Sequence, residues 1–320
     1  MKYGYYPGCS LERNAYSYHQ STLAVAKPLG LEFVEVEDWN CCGATEYFAI
    51  DAIPAYALVG RNLALAAQQK GDDKQLVAPC SACFLNLKKT DHYMDESPEL
   101  AEKVNTALAA GELHYEPGSV EARHLLDVIV SDVGYDAVAE KVTKPLYNLK
   151  VASYYGCMIV RPRALETFDD AECPTSMDHL MEVLGAEAVD FSMKAHCCGG
   201  HMTQISEPTA FDLIRSILKN AVDNGADTIV TLCPMCQLNL DAYQSAVNKH
   251  FGTDYNIPIL YFTQLMGLAF GIPAEELGIG KELVDARSAL TKIGTEAPPK
   301  PKKKRPSKKA LPMPSLLEEA

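Results

Sequence analysis

One cysteine pattern occurs twice along these 320 residues, and nothing else in the sequence constrains the fold as tightly. The first copy runs Cys9, Cys41-Cys42-Gly43, Cys80-Ser81-Ala82-Cys83; the second runs Cys157, Cys197-Cys198-Gly199, Cys233-Pro234-Met235-Cys236. Ten of the eleven cysteines fall into the two sets, and only Cys173 stands apart. The flanks repeat as well. Tyr5-Tyr6-Pro7-Gly8 leads into Cys9 as Tyr154-Tyr155-Gly156 leads into Cys157. Leu85-Asn86-Leu87 follows the first CxxC as Leu238-Asn239-Leu240 follows the second. A period of about 150 residues is too long for a solenoid unit, so the chain reads as one domain duplicated. The copies are expected over 1–145 and 146–296, followed by a tail over 297–320.

Strand and helix signals alternate in both copies. The first has strand patterns over 2–6, 32–36 and 75–78 and helical spacing over 15–28, 53–70 and 83–89, with Gly71 as a helix stop. The second has strands over 151–155, 188–191 and 227–232 and helices over 177–184, 209–224 and 261–270. Residues 124–130 are the first-copy counterpart of that last helix, and a linker is expected near 143–149. This alternation predicts a parallel α/β architecture. The expected fold is two duplicated Rossmann-like α/β domains related by a pseudo-twofold axis, each carrying one cysteine set.

No apolar run approaches the roughly 18 residues needed to span a bilayer. Met1-Lys2-Tyr3-Gly4-Tyr5-Tyr6 lacks the apolar core of a secretion signal. A cysteine-rich chain of this kind points to metal or redox chemistry in the cytoplasm rather than to a disulfide scaffold. Adjacent cysteines such as Cys41 and Cys42 also bridge each other poorly. Seven of the 29 basic residues lie between Lys300 and Lys309, in a Pro/Lys-rich stretch whose composition predicts disorder. Positions 1–296 hold 22 basic against 40 acidic residues, hence −18, and such a body repels nucleic acid.

In parallel α/β units ligands gather where strands end and helices begin, and all five cysteines of each copy fall at such junctions. Helix N-termini lower thiol pKa, and the thiolate is the form that binds metal. Gly43 and Gly199 can take positive φ, which turns two adjacent thiolates toward one centre. Five thiolates can thus converge on one iron–sulfur unit. A structural zinc site takes four ligands and an ordinary cubane takes four cysteines, so the fifth thiol is explained by neither. The sequence has no G-x-G-x-x-G, no P-loop and no ferredoxin-type cysteine run. Electrons should therefore arrive through a partner.

Tyr-Tyr-x-Gly-Cys, Cys-Cys-Gly and Cys-Pro-Met-Cys-Gln-Leu-Asn-Leu-Asp resemble the CCG-domain family, and within it the B-subunit family of the heterodisulfide reductases. Arg161-Pro162 and the segment 258–271 share the likeness, which spans roughly residues 1–275. The resemblance implies a noncubane [4Fe-4S] cluster on each set. The ligands carried over are Cys9, Cys41, Cys42, Cys80 and Cys83, and Cys157, Cys197, Cys198, Cys233 and Cys236. It implies that the two clusters face each other and together cleave or form a disulfide. It also implies a ferredoxin-like iron–sulfur subunit and a flavin subunit as partners, with a small disulfide as substrate. The rival reading is a CCG-type electron-relay or anchoring subunit of a succinate:quinone reductase-like complex, with zinc in one set. A purely structural zinc protein is a third reading, which the five-thiol count opposes. The tail after Gly294 matches no part of the family pattern.

Other residues are read as follows. Cys173 is an ordinary thiol. His196 and His201 flank the second set; each is structural first, with proton donation to a departing thiolate as the alternative. Lys194 and Arg161 either balance cluster charge or sit on a solvated surface. The two Tyr-Tyr pairs are core residues, with stacking beside a cluster as the lesser reading.

Overall fold

A short strand precedes each cysteine turn, and these strands assemble into two sheets. The computed structural model describes residues 1–44, 46–69, 74–161, 165 and 168–297. In the first sheet, β1 (Lys2–Tyr5), β2 (Glu32–Glu35), β3 (Gln75–Ala78) and β4 (Glu121–His124) lie in the order β2-β1-β3-β4. In the second, β5 (Lys150–Tyr154), β6 (Glu187–Ala188), β7 (Thr228–Thr231) and β8 (Ile259–Tyr261) lie in the order β6-β5-β7-β8. Every pairing is parallel. The α/β class and the duplication therefore hold.

Parallel neighbours need crossovers, and helices supply them. The first half uses α1 (Tyr16–Leu29), α2 (Ala52–Gln68), α3 (Ser81–Glu96) and α4 (Pro98–Leu108). The second uses α5 (Ser176–Val183), α6 (Glu207–Asp223), α7 (Pro234–Ala242) and α8 (Gln244–Phe251), and α9 (Phe262–Ala269) follows its last strand. Local chemistry sets the ends. Gly30 closes α1 at φ 68°, and the Asp51 side chain caps α2 by accepting from the Ile53 N–H.

Several expectations change. The fourth strand of each sheet was not expected. β4 reads Glu-Ala-Arg-His and buries only Ala122 and His124, so it carries little apolar signal. β8 merges in sequence with the helix expected from Tyr261, which begins one residue later at Phe262. The segment expected as its counterpart is a short α turn over Leu125–Asp127 followed by a π-helical stretch, Val128–Val133. β6 stops at Ala188 rather than running to 191, and the chain turns to bury Phe191. α3 runs on to Glu96 because Phe84, Leu87 and Met94 keep one face buried. Gly71, Pro162 and the tail from 298 lie outside the described residues.

The halves seat reciprocally. Helix α1 of the first packs on α9 of the second, with Ser21 Oγ 2.7 Å from Thr263 Oγ1 and the Tyr18 and Tyr261 rings stacked at 4.2 Å. In return, α5 of the second packs on a short first-half helix, Tyr135–Ala139. There the Tyr135 hydroxyl donates to the Ser176 carbonyl at 3.1 Å. Among the described residues, no helix is long and apolar enough to cross a membrane.

Candidate metal centres

In a sheet ordered 2-1-3-4, the order in which strands are added reverses between the first and third strands, and a crevice opens at their carboxyl ends. Cys9 follows β1 and Cys80 follows β3, so they flank that crevice, and Cys41-Cys42 arrives from the end of β2. Cys157, Cys233 and Cys197-Cys198 stand likewise in the second sheet. The first set converges: Cys41 Sγ lies 3.4 Å from Cys9 Sγ, and Cys42 Sγ lies 3.5 Å from Cys83 Sγ. In each set the CxxC cysteines are buried, and thiols at the outer edge meet solvent at Cys9, Cys41 and Cys197.

The same devices shape both sites. Gly43 and Gly199 have φ of 73° and 96°, as the turn requires, and their N–H groups donate to Cys41 Sγ and Cys197 Sγ at 3.4 and 3.3 Å. Asn86 Nδ2 donates to the carbonyls of Cys42 and Ala44 at 3.1 and 2.6 Å. Asn239 Nδ2 donates to those of Cys198 and Gly200 at 3.3 and 2.8 Å. The Tyr6 and Tyr154 hydroxyls donate to the carbonyls of Asn40 and His196, each one residue ahead of the paired cysteines. The structural match is thus Tyr6 with Tyr154, each three residues before its cysteine. A Cβ on Gly8 would sit 2.8 Å from Cys83 Sγ, and one on Gly156 would sit 3.0 Å from Cys236 Sγ.

The two sets also meet. Cys80 and Cys233, the first cysteines of the two CxxC turns, act on each other's titration across the boundary between the halves, raising Cys80 and lowering Cys233. The Tyr18 hydroxyl bridges the carbonyls of the preceding residues, Pro79 at 3.1 Å and Leu232 at 3.3 Å.

A model of the cysteine-rich domain named CCG matches residues 3–88 and 151–241. The chain belongs to the cysteine-rich CCG-domain family. It is 36% identical over 293 residues to a Wolinella succinogenes protein named 8-methylmenaquinol:fumarate reductase membrane anchor subunit, covering 92% of this chain and 99% of that one. It is 31% identical over 300 residues to a Methanosarcina acetivorans protein, covering 91% and 97%. That protein is named as the B-subunit of a Ferredoxin/F(420)H(2)-dependent CoB-CoM heterodisulfide reductase. A solved structure of a hypothetical protein from Helicobacter pylori superposes with a TM-score of 0.69 at 17% identity, over 89% of this chain and 52% of that one. That likeness supports the fold alone.

Within each set of this chain the thiols share protons. Cys41 is pulled down to about 2 because it accepts from Cys42 and Cys9 and from the Gly43 N–H, while Cys42 is pushed up to about 11 by that same bond to Cys41. In the second half Cys197 falls to about 6, chiefly through its bond from Cys157. Cys233 is lowered by bonds from Cys236 and Cys80, and Cys80 is raised in turn.

Among the described residues, no group of three or more His, Cys, Asp or Glu side chains stands ready around a single metal ion. The thiols rest against one another, closer than the about 3.8 Å that two sulfurs keep on one tetrahedral metal with bonds near 2.3 Å. The donor set nevertheless suits an anionic iron–sulfur group. It offers five soft thiols per half, and Gly8 and Gly156 leave the sulfurs room that a Cβ would fill. Three buried polar atoms, Ser81 Oγ, His124 Nε2 and Tyr261 Oη, have no hydrogen-bond partner. Ser81 adjoins Cys80, and the other two feel the charge of Cys233. A bound group carrying negative charge would use such donors.

The remaining expectations sort as follows. Tyr5, Tyr6, Tyr154 and Tyr155 are all core residues. Tyr155 additionally accepts from the Met177 N–H at 2.7 Å and donates to Asp178, so it caps α5. Lys194 is neither a free surface cation nor open to solvent; its ammonium is tied to Asp178 at 3.0 Å with only 17% of the side chain exposed. Arg161 pairs with Glu172 at 3.3 Å. Cys173 is exposed and His196 is exposed at the mouth of the second set. Sequence reasoning missed Tyr18, His124 and Tyr261. They sit on elements that approach from the other half or from an unexpected strand, and no motif marks them.

Proposed function

We propose that the chain is a redox subunit holding one iron–sulfur cluster on each five-cysteine set, and that the two sets serve one disulfide. Cys9, Cys41, Cys42, Cys80 and Cys83 would hold the first cluster, and Cys157, Cys197, Cys198, Cys233 and Cys236 the second. Such clusters, noncubane by family resemblance, would supply single electrons and a thiophilic metal face. The observation that carries the reading is the Tyr18 hydroxyl, which bridges the carbonyls just ahead of Cys80 and Cys233 and so brings the two sets side by side. Cleaving a disulfide consumes two electrons and two protons and yields two thiols, so two contiguous one-electron sites suit it. The chain's own residues bury the CxxC thiols away from water and leave the outer thiols at the mouth. Its relatives are named as subunits of reductases. On that ground a ferredoxin-like iron–sulfur subunit, fed by a flavin subunit, would be the electron source.

A second reading is supported by the 36% identical relative, whose name is that of a membrane anchor subunit of a quinol:fumarate reductase. In that version the chain relays electrons or anchors a complex, and one set holds structural zinc. Metal analysis after anaerobic purification separates the two. About eight irons and no zinc per chain agree with the first reading. Zinc with about half that iron, and no cleavage of any small disulfide by the reduced protein, would replace it with the second.

A further inference from the structure

The two mouths differ at matching positions. Glu12 stands three residues after Cys9, and Glu35, Glu37 and Asp38 stand six, four and three before Cys41. The same offsets from Cys157 and Cys197 give Val160, Phe191, Met193 and Lys194. At the first mouth these carboxylates line a hollow of about 490 Å³ that reaches the exposed thiols of Cys9 and Cys41. Asp38, Trp39 and Asn40 form its far wall, and they are also one wall of a second hollow of about 660 Å³. The floor of that second hollow is apolar, Ile53, Pro54, Ala57 and Leu58 of α2 with Ala107 and Leu108 of α4, and Arg61 also lines it, with its charge taken up by Asp38. Of these four carboxylates, only Asp38 has an ion pair among the described residues, to Arg61. No cation stands within ion-pair distance of Glu12, Glu35 or Glu37 among the described residues.

We propose that this groove is where a partner subunit docks, through a segment with basic residues on one face and apolar residues on the other. The inference rests on the redox-subunit reading and adds the side on which the partner sits. Three observations favour such an occupant. An apolar floor with an acidic rim calls for apolar contacts flanked by cations. The groove borders the two exposed thiols of its set, where an electron carrier has to approach. At the matching positions of the second mouth Val160 and Phe191 are buried and Lys194 is tied to Asp178, so it does not offer the same charge. The chain's own basic stretch, Lys300–Lys309, is the rival occupant. The described chain leaves the body beside Tyr147, to which Gly294 is bonded, and Lys292 pairs with Asp227 ahead of β7. That is the end of the second sheet opposite the cysteine turns.

The probe is a dye-labelled amphipathic peptide with a leucine face and a lysine face, read by fluorescence anisotropy on the anaerobic, iron-loaded full chain. A peptide of the same pattern with glutamate in place of lysine is the control. Trp39 is the only tryptophan, so its emission reports seating in the groove. The lysine peptide should bind and shift Trp39 emission, and the glutamate peptide should not. Glu12→Gln with Glu37→Gln should weaken binding about tenfold at low salt, an effect that fades as salt approaches about 0.5 M. Ala57→Glu should weaken it through the floor. Asp212→Asn with Asp223→Asn removes the same charge from α6 and should change binding less than about twofold. Equal losses in the two paired variants would reduce the attraction to the overall acidity of the body and overturn the proposal. A change in Trp39 emission on truncation after Glu296 would assign the groove to the chain's own tail and overturn it as well. Iron measured on the same samples keeps the outcomes apart: intact iron without peptide binding sinks the groove and leaves the redox reading standing.

Discussion

Asn86 and Asn239 hold their glycine turns with the same pair of hydrogen bonds, whereas the ends of β4 and β8 carry different residues, His124 and Tyr261, on different ring partners, Phe84 and Tyr18. His124 is buried, accepts from the Leu126 N–H through Nδ1 and leaves Nε2 unpaired. Tyr261 stacks on Tyr18 and leaves its hydroxyl unpaired. The difference separates two layers of the design. Whatever shapes the thiol cradle is present twice: the positive-φ glycines, the asparagine clamp, and the tyrosine that donates ahead of the paired cysteines. Whatever lies between the sets, or faces a partner, is present once.

The sharpest way to break that comparison is to disable one cradle. Cys42→Ala and Cys198→Ala should each remove about half the iron, yet each should abolish disulfide cleavage almost as fully as the double variant, because groups acting as a unit are non-additive. Roughly half activity in each single variant would make the halves independent sites. Gly8→Ala and Gly156→Ala come next. Each places a Cβ at positive φ against a cysteine sulfur, at a cost of about 1–3 kcal/mol, and each should loosen iron in its own half only. A larger loss at Gly8, where the contact is closer, would refine the match between the cradles; loss from the opposite half would undo it.

Tyr18→Phe tests the layer that is present once. It strips a shared donor from the Pro79 and Leu232 carbonyls, at about 1–3 kcal/mol, which lowers Tm by a few degrees in a chain of this size. Iron should stay in both halves while disulfide cleavage falls. Unchanged cleavage would free the junction of any part in chemistry.

Acid stability should also divide the halves. Burial holds His124 down at about 4, below its usual 6.5. The unfolded chain therefore takes up a proton that the folded chain refuses, and stability falls as pH drops from about 6.5 toward 4, by up to about 1.4 kcal/mol per pH unit. His124→Tyr, which borrows the residue ending β8, should flatten that slope, as followed by denaturant midpoints across the range. The smallest effect belongs to Cys173→Ser. The residue is exposed and outside both sets, so iron and cleavage should not change; any loss of iron would add an eleventh cysteine to the sites.

The cradle was legible in the sequence because its chemistry is local. Cys-Cys-Gly states the turn and the thiols together, and the Leu-Asn-Leu that follows each CxxC carries the asparagine that clamps the turn. The strand pattern overextends β6 because Val189 and Phe191 are apolar and buried, yet an edge strand can end while its successors turn inward. β4 was missed because Arg123 is held by Asp127 and Asp132, and such ion pairs leave no apolar periodicity. Lys194 looked like a surface cation for the same reason: its partner Asp178 comes from a different element. Contacts made across the two halves, such as Tyr18 on Tyr261, have no signature within a window of sequence.

The reciprocal seating has a consequence for how such a chain arises. Helix α1 lies on α9 and on the Ala274–Leu277 turn that follows it, and α5 lies on the Tyr135–Ala139 helix at the matching place in the first half, which is the exchange two identical copies would make about a twofold axis. In a dimer of separate copies, every substitution appears at both mouths at once. Joined in tandem, one copy can drift while the other stays fixed, and four carboxylates can stand at one mouth where the matching positions of the other hold Val160, Phe191, Met193 and Lys194. Fusion therefore gives the molecule a front and a back that no symmetric ancestor could have had.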